Sequence, residues 1–447
     1  MKPKIILKPV LLCIFLSIII SCTTENNWPQ FRGPAFNMVS NNENLPTQWN
    51  DNLNIKWTSD IDGESWSSPI VIGERIYYTT CLLVKDAPKE ESIESDTDQQ
   101  QQAEDNSYLK EVYKWEVACV DINSGKEIWK KIAFEGNPRI KKHASTNYAG
   151  ESPVSDGSKI YAYFGMLGVY CYDFDGTLLW QKDLGAYKTR NDWGTGSSPV
   201  VYNGTLYIQV DNEENSFLVA LDTNSGAEKW RVSRDEKTNY STPVIWKNTV
   251  RTELVLSGVT ARSYNPETGE LLWQLKLGGE QSIPSPVFDS ERIYLGNVPA
   301  RNQKGNFFCV KAGAEGNISP IEGVAGSSIV WIDSTVNIGN PSPLLYEGNV
   351  YLLNSRGGDL ACLDALTGKV IYNEKVDNVG ACWASPWANR GQLYFYDEKG
   401  ITQVVKAGEI FEPLHQNSLS GKFWSSVAIT NDAYIIKGTA KLFCIGN

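Results

Sequence analysis

Short apolar runs separated by polar turns dominate the chain from about residue 54 to its end. Residues 205–210, TLYIQV, alternate the direction of their side chains and are rich in the β-branched and aromatic types that strands favour. Glycine, asparagine or aspartate follows most of these runs, as expected for tight turns. No stretch shows a helical period of useful length. The pattern therefore predicts an all-β protein.

One recurring phrase is a short apolar strand that begins with Ser-Pro or a close variant. It occurs in eight copies, aligned on Pro69, Pro153, Pro199, Pro243, Pro286, Pro343, Pro386 and Val427. The intervals are 84, 46, 44, 43, 57, 43 and 41 residues, and most match the ~40–45 residues of a four-stranded propeller blade. Eight such units predict an eight-bladed β-propeller of four-stranded antiparallel blades.

A second recurring phrase joins an aspartate turn to a glycine and an aromatic residue, as in residues 218–230, LVALDTNSGAEKW. The glycine precedes the aromatic residue by four positions in Gly125/Trp129, Gly176/Trp180, Gly226/Trp230, Gly269/Trp273 and Gly368/Tyr372. Glycine tolerates positive φ, and aspartate bonds its own backbone in such turns. We therefore interpret Asp222 as a turn residue rather than a catalytic base, and the aromatic residue as a contact with the neighbouring blade.

The last repeat lacks its fourth strand, because the chain ends at KLFCIGN with no turn and tryptophan after it. Residues 54–61, NIKWTSDI, supply a matching strand with Trp57 at the outer position. A ring must pair its edges. We therefore expect residues 54–447 to form the propeller, with the last blade closed by this N-terminal strand.

The first residues carry an export signal. Three lysines precede a short apolar run that is too short to span a bilayer, and residues 19–22, IISC, resemble a bacterial lipobox. We expect a signal peptide over residues 1–21, lipidation at Cys22, and a tether with an N-terminal extension over residues 22–53. The protein would then lie in the cell envelope, lipid-anchored to a membrane (the outer membrane, on its periplasmic or surface face). The alternative is a plain secretory signal with an incidental cysteine.

Charge excludes one class of partner. The chain has 41 basic and 52 acidic residues, and loss of the three signal lysines leaves a net charge of −14. Such a charge disfavours nucleic acid and anionic lipid. Nine of the acids lie in residues 85–112, which have little to bury and which we expect to be a disordered insertion in the first blade. An acidic docking segment is the alternative there.

Cysteines and histidines indicate no common catalytic or metal centre. Cys119, Cys171 and Cys362 occupy equivalent repeat positions, which are normally too far apart to pair. His143 and His415 are the only histidines, and no Cys-x-x-Cys, Gly-x-Ser-x-Gly or phosphate-loop motif is present. The sequence predicts no catalytic residue, no metal and no cofactor.

The repeats, with the opening WPQFRGP, resemble the PQQ-like β-propeller family over nearly the whole mature chain. This family includes quinoprotein dehydrogenases, with PQQ and calcium on the axis, and non-catalytic propellers such as the BamB-type lipoproteins of outer-membrane barrel assembly. The resemblance to the first branch implies adjacent cysteines, which this chain lacks, and axial carboxylates, for which Glu151 and Asp192 are the candidates. A quinoprotein-type oxidoreductase that uses PQQ and calcium therefore remains the alternative, beside a sugar-binding propeller.

Aromatic residues precede several Ser-Pro copies, where the inner strands enter the channel: Trp66, Trp193, Trp383 and Trp424, with Tyr148 and Tyr240 at related places. They suit stacking on a peptide, a sugar or a flat ligand, or they fill the axial channel of a large ring. With Glu151 and Asp192 they form the predicted ligand site at the axial rim. The leading interpretation is a monomeric, non-catalytic scaffold that binds an envelope protein, a peptide or a glycan.

Overall fold

Eight four-stranded antiparallel sheets form a closed β-propeller, which confirms the predicted fold class. The computed structural model describes residues 27–85, 107–279, 282–299, 305–354 and 358–447. The signal peptide, Cys22 and residues 86–106 of the acidic insertion lie outside the described residues. Among the described residues no helix is long and apolar enough to cross a membrane.

Each blade runs from an inner strand at the axis to an outer strand at the surface. Blade 1 consists of Ile70–Ile72, Arg75–Lys85, Val112–Asp121 and Glu127–Gly136. Blade 2 consists of Val154–Ser155, Ile160–Tyr163, Val169–Tyr172 and Leu178–Lys182. Blade 3 consists of Val200–Tyr202, Thr205–Val210, Phe217–Asp222 and Glu228–Ser233. Blade 4 consists of Val244–Lys247, Thr252–Leu256, Thr260–Tyr264 and Leu271–Lys276, and Gly316–Asn317 pairs in parallel with its outer strand.

The second half of the ring repeats this order. Blade 5 consists of Val287–Phe288, Arg292–Gly296, Phe307–Lys311 and Ile329–Asp333. Blade 6 consists of Leu344–Tyr346, Asn349–Leu353, Asp359–Asp364 and Val370–Lys375. Blade 7 consists of Trp387–Asn389, Gln392–Tyr396, Ile401–Lys406 and Pro413–Ser418, and Val39–Ser40 pairs in parallel with its inner strand. Short 3₁₀ turns occur at Ser107–Lys110, Gly165–Leu167 and Arg190–Asp192.

Blade 8 is closed by the N-terminal strand, as the sequence predicts. Its own strands are Ala428–Ile429, Tyr434–Lys437 and Lys441–Ile445, and Ile55–Asp60 pairs antiparallel with the last of these. Trp57 lies opposite Cys444. The N-terminal strand thus supplies the outer strand that the last repeat lacks.

Outer-strand tryptophans join neighbouring blades in the way the repeats indicate. In five blades the indole N–H donates to a carbonyl of the next blade at 2.7–3.2 Å: Trp57 to Ile122, Trp129 to Phe174, Trp180 to Thr223, Trp230 to Pro266 and Trp331 to Ala365. Each of these rings packs on the turn glycine of that next blade, where a side chain would clash with the indole. The repeated glycine is therefore required both by its positive φ and by this contact. Trp273 differs, because its indole donates to Glu253 of its own blade at 2.7 Å.

Asp222 builds a turn. Its Oδ1 accepts hydrogen bonds from the backbone N–H of Asn224 and of Ser225, and from the Ser225 hydroxyl, at 2.9–3.0 Å. These bonds hold the pKa of Asp222 below its ordinary value, the Ser225 hydroxyl bond first. The carboxylate is thus used inside its own turn.

A closed ring of hydrogen bonds links all eight blades around the axis. The residue before each repeat proline, or before Val427 in blade 8, carries a hydroxyl. Its oxygen accepts a hydrogen bond from the backbone N–H of the equivalent residue in the preceding blade at 2.8–3.3 Å. The order is Ser68, Ser152, Ser198, Thr242, Ser285, Ser342, Ser385, Ser426 and back to Ser68. All eight residues are buried. We call this set the hydroxyl ring; it explains why serine or threonine recurs before the proline.

The N-terminal extension crosses the axial channel, which the sequence did not indicate. Trp28 pairs with Val71 of blade 1, and the Pro29 carbonyl accepts the N–H of Ser155 in blade 2. Four residues after Trp28, the Arg32 guanidinium donates to carbonyls of blades 5 and 6, on the opposite side of the ring. The chain then follows blades 6 and 7 before it joins blade 8. The described part of the expected tether, residues 27–53, is therefore packed structure.

The predicted boundaries of the acidic insertion also differ from the structure at both ends. Lys85 is paired with Val112 at the end of a hairpin, and Ser107–Lys110 forms a 3₁₀ turn. These positions are ordered because the hairpin of blade 1 extends beyond the other blades, with strands of 11 and 10 residues. The seven described cysteines are all buried and unpaired with one another, in agreement with their interpretation as small core residues.

Candidate axial rim site

Three tryptophans occupy one repeat position at the channel mouth. Trp66, Trp383 and Trp424 each lie two residues before the hydroxyl ring, in blades 1, 7 and 8. These blades are consecutive because blade 8 closes onto blade 1. The rings of Trp66 and Trp424 meet edge to face, with centroids 4.7 Å apart. We call these three residues the rim arc.

The rim arc is only partly covered. Trp383 is 42% exposed, and its indole N–H donates to Glu398 at 3.1 Å. Trp66 and Trp424 are half-buried. The equivalent residues in blades 2 and 3 are Gly150 and Gly196, and in blade 4 it is the half-buried Tyr240, which lies beside Gly196. The rim is therefore asymmetric, with a wall of indoles on one side only.

Trp193 and Asp192 lie in the loop between the outer strand of blade 2 and the inner strand of blade 3. They end the 3₁₀ turn Arg190–Asp192. Among the described aromatic pairs, Trp193 forms none with Trp66 or Trp424. Asp192 has a positive φ of 57° and its carbonyl accepts the N–H of His143 at 2.7 Å. With Tyr108, Tyr148 and other residues it lines a cavity of about 460 Å³. Asp192 therefore belongs to the wall of this cavity.

Glu151 is the buried acid of the predicted site. It precedes Ser152 of the hydroxyl ring, is 1% exposed, and accepts a hydrogen bond from the Thr195 hydroxyl of blade 3. Burial raises the pKa of Glu151 to about 7, against the opposing effect of the Thr195 bond. A side chain at Gly165 would contact both Thr195 and this carboxyl. Glu151 therefore lies packed between blades 2 and 3.

Lys437 is a buried base beneath the rim arc. It is 1% exposed, and its Nζ donates to the carbonyl of Ser65, next to Trp66, at 2.9 Å. Burial lowers the pKa of Lys437 to about 7. The one sequence signal for it was a charged residue at the end of an apolar strand, Tyr434–Lys437. That signal does not distinguish a buried lysine from an exposed one.

Arg32 closes the axis below the rim. Its guanidinium donates to the carbonyls of Ser285, Pro286 and Pro343 at 2.7–3.2 Å, and it is 2% exposed. Burial lowers the pKa of Arg32 to about 9, and its Nε has no protein partner. At the level of Arg32 the axial channel is occupied by the N-terminal extension and not by the rim tryptophans. Pattern analysis missed this because residues 27–53 belong to no repeat.

The carboxylates do not form the calcium site that the enzyme branch requires. Among the described residues, no group of three or more histidine, cysteine, aspartate or glutamate side chains is arranged to hold a metal ion. Glu151 is enclosed against Thr195, whereas Asp192 lines a separate cavity. These carboxylates therefore do not fit the calcium ion that accompanies PQQ in the enzyme branch.

Comparison with known proteins shows sequence similarity to one family. Residues 114–334 match the family described as outer membrane protein assembly factor BamB. A curated BamB from Moranella endobia is 26% identical over 182 residues, which is 40% of this chain and 42% of that protein. The chain therefore spans well under half of the curated relative that it matches.

Solved structures share the fold at low identity. BamB from Moraxella catarrhalis has a TM-score of 0.57 at 10% identity, over 86% of this chain and 98% of that chain. A quinohemoprotein alcohol dehydrogenase from Comamonas testosteroni has a TM-score of 0.59 at 11% identity, over 94% of this chain and 81% of that chain. These similarities show the fold alone, a β-propeller that the chain shares with both kinds of protein. Within that fold the sequence matches are to BamB, which confirms the resemblance recognised from the repeats.

Proposed function

We propose that this protein is a lipid-anchored, non-catalytic scaffold of the cell envelope that binds an assembly partner at the rim arc. The similarity to BamB supports a role in outer-membrane protein assembly. Anchoring would come from Cys22. The fold by itself does not distinguish this role from others, because propellers host both binding proteins and enzymes.

The observation that carries the proposal is the rim arc. Indoles on three consecutive blades offer flat apolar faces beside polar donors, and such surfaces suit aromatic or aliphatic side chains of a peptide or the faces of sugar rings. Trp383 is the most accessible of the three. Because Arg32 closes the axis beneath, a ligand reaches these residues from the rim side. The partner is therefore a peptide segment of an envelope protein, with a glycan as the alternative outcome.

The dehydrogenase neighbours do not favour an enzyme here. Their similarity lies at 10–11% identity and concerns the fold alone. The donor set around Glu151 and Asp192 does not fit calcium. Binding remains the function that the exposed residues support best.

The test uses two matched variants on the membrane-tethered protein. Trp383→Ala removes the most exposed rim indole. Leu366→Ala removes a side chain that is 57% exposed at the turn Asp364–Gly368, at the other end of the propeller. Loss of one stacking contact costs about 1 kcal/mol, or about five-fold in affinity. We expect crosslinking to the partner, followed by mass spectrometry, to weaken with Trp383→Ala and to stay unchanged with Leu366→Ala.

Two results would contradict the proposal, the first its surface and the second its peptide partner. Equal recovery from both variants would place the binding surface elsewhere. Saturable quenching of the rim tryptophans by purified oligosaccharides, with no peptide response, would replace the peptide partner by a glycan.

A further inference from the structure

The two ends of the propeller axis carry different parts of the chain. The rim arc lies where the inner strands begin, just before the hydroxyl ring. Asn27 lies where the inner strand of blade 1 ends, because its side chain accepts the N–H of Gly73 in the following turn at 2.8 Å. We call this second end, which carries the turns after the inner strands, the turn face. The N-terminal extension therefore leaves the propeller on the side opposite the rim arc.

The point of departure is held firmly. Trp28 makes two backbone hydrogen bonds with Val71 at 2.8 and 3.0 Å and is buried. Arg32 is fixed by three carbonyls on the far side of the channel. The first described residue is Asn27, and residues 23–26 separate it from Cys22 in the sequence.

These residues give a short maximum reach. Five steps between Cys22 and Asn27 span at most about 18 Å when fully extended. A six-residue strand such as Thr205–Val210 is about 20 Å long, which sets a lower limit on the height of the propeller. Four strands at about 4.8 Å spacing add about 14 Å of width from the channel to the outer edge. The tether is therefore too short to pass around the propeller.

We propose that the turn face is directed toward the membrane and that the rim arc is presented away from it. The inference rests on the anchor proposed at Cys22. This orientation makes the rim arc the accessible interaction surface. Partners approach it from the aqueous compartment, as a soluble domain or as a peptide segment that extends from the membrane by at least the height of the propeller. The lipid surface itself is excluded as the ligand of the rim.

The experiment places one label at each end of the lipidated full-length protein in liposomes. Glu74→Cys lies on the turn face beside Gly73, and Lys422→Cys lies two residues from Trp424; both side chains are exposed. The seven described cysteines are buried, so the introduced thiols react selectively. Lipids that carry a short-range quencher on the headgroup report proximity. We expect several-fold stronger quenching at Glu74→Cys than at Lys422→Cys.

A tether variant tests the cause. A 20-residue Gly/Ser insertion between Thr24 and Glu25 gives a flexible chain with a mean span of about 25 Å and a far longer maximum. We expect the two labels to become similarly quenched in that background. Equal quenching at both positions with the native tether, or stronger quenching at Lys422→Cys, overturns the orientation.

Failure of the anchor is distinguishable from failure of the orientation. The unlabelled protein is first floated with liposomes beside Cys22→Ala. Flotation of the wild type alone supports the anchor, and the label positions then decide the orientation. If neither the wild type nor Cys22→Ala floats, or if both float equally, the lipid anchor proposed at Cys22 is wrong. The proposed orientation is then wrong as well.

Discussion

Glu151→Gln tests whether the buried acid of the rim is held in its neutral form. Glutamine keeps the shape of the protonated acid and can still accept the hydrogen bond from the Thr195 hydroxyl. In the wild type, burial raises the pKa of Glu151 from 4.5 to about 7. Glutamine carries no charge at any pH, so the variant lacks this titration.

The sign of the effect follows from proton linkage. Between pH 4.5 and 7 the folded protein holds a proton at Glu151 that the unfolded chain has lost. The contribution of this acid to stability is therefore fully present below pH 4.5 and is lost as the pH rises through about 7. The rise in pKa corresponds to about 3 kcal/mol, which for a propeller of this size is about 3–4 °C in thermal midpoint.

The assay compares wild type and Glu151→Gln by thermal unfolding at pH 5 and pH 8, followed by tryptophan fluorescence. We expect the variant to gain about 3–4 °C relative to the wild type on going from pH 5 to pH 8. Asp192→Asn, which removes a half-buried carboxylate from the neighbouring loop, is the control and should follow the wild type. Parallel pH profiles for wild type and Glu151→Gln would refute the reasoning and show that the carboxyl is solvated.

Three further outcomes follow from other parts of the structure. The wild type should gain stability as the pH rises from 7 to 10.5, and Lys437→Met should lack this gain. Burial lowers the folded pKa of Lys437 from 10.5 to about 7, so the favourable contribution of the neutral amine is lost as the pH falls toward that value. Thermal scans across this pH range check it. Ser198→Ala should cost about 1–3 kcal/mol, since it leaves the buried N–H of Ser152 without an acceptor, whereas Ser198→Thr should retain stability as Thr242 does in the native ring. Mixing the protein with PQQ and Ca²⁺ should give neither a saturable absorbance shift nor dye-linked oxidation of alcohols or sugars. Stoichiometric PQQ binding with turnover would support the quinoprotein alternative instead.

The repeats could be predicted because each blade encodes its own strands locally. Alternation specifies the strands, and the spacing between Gly226 and Trp230 specifies a turn and an outward aromatic residue within a few residues of one another. The closing strand around Trp57 followed from counting, since one unit lacked its fourth strand. These are short-range patterns, and tertiary packing reinforced them.

The sequence predicted Trp66, Trp383 and Trp424 together at the axial rim, but not which of their rings meet. Trp66 and Trp424 are far apart in the chain and become neighbours only because blade 8 closes onto blade 1. Trp193 follows a 3₁₀ turn in the loop between blades 2 and 3 and lies five rather than two residues before the hydroxyl ring. Sequence position indicated the correct end of the blades, and ring closure decided which indoles meet.

By itself, the sequence determined the all-β class, eight repeating units, the closing strand and the turn role of Asp222. The tertiary structure alone decided that the hydroxyl ring links every blade, that Arg32 crosses the channel, and that Glu151 and Lys437 lie buried. The physical reason is the range of the interactions. Alternation and turn chemistry act between residues close in the chain, whereas burial and the partners of a hydrogen bond depend on residues that only the closed ring brings together.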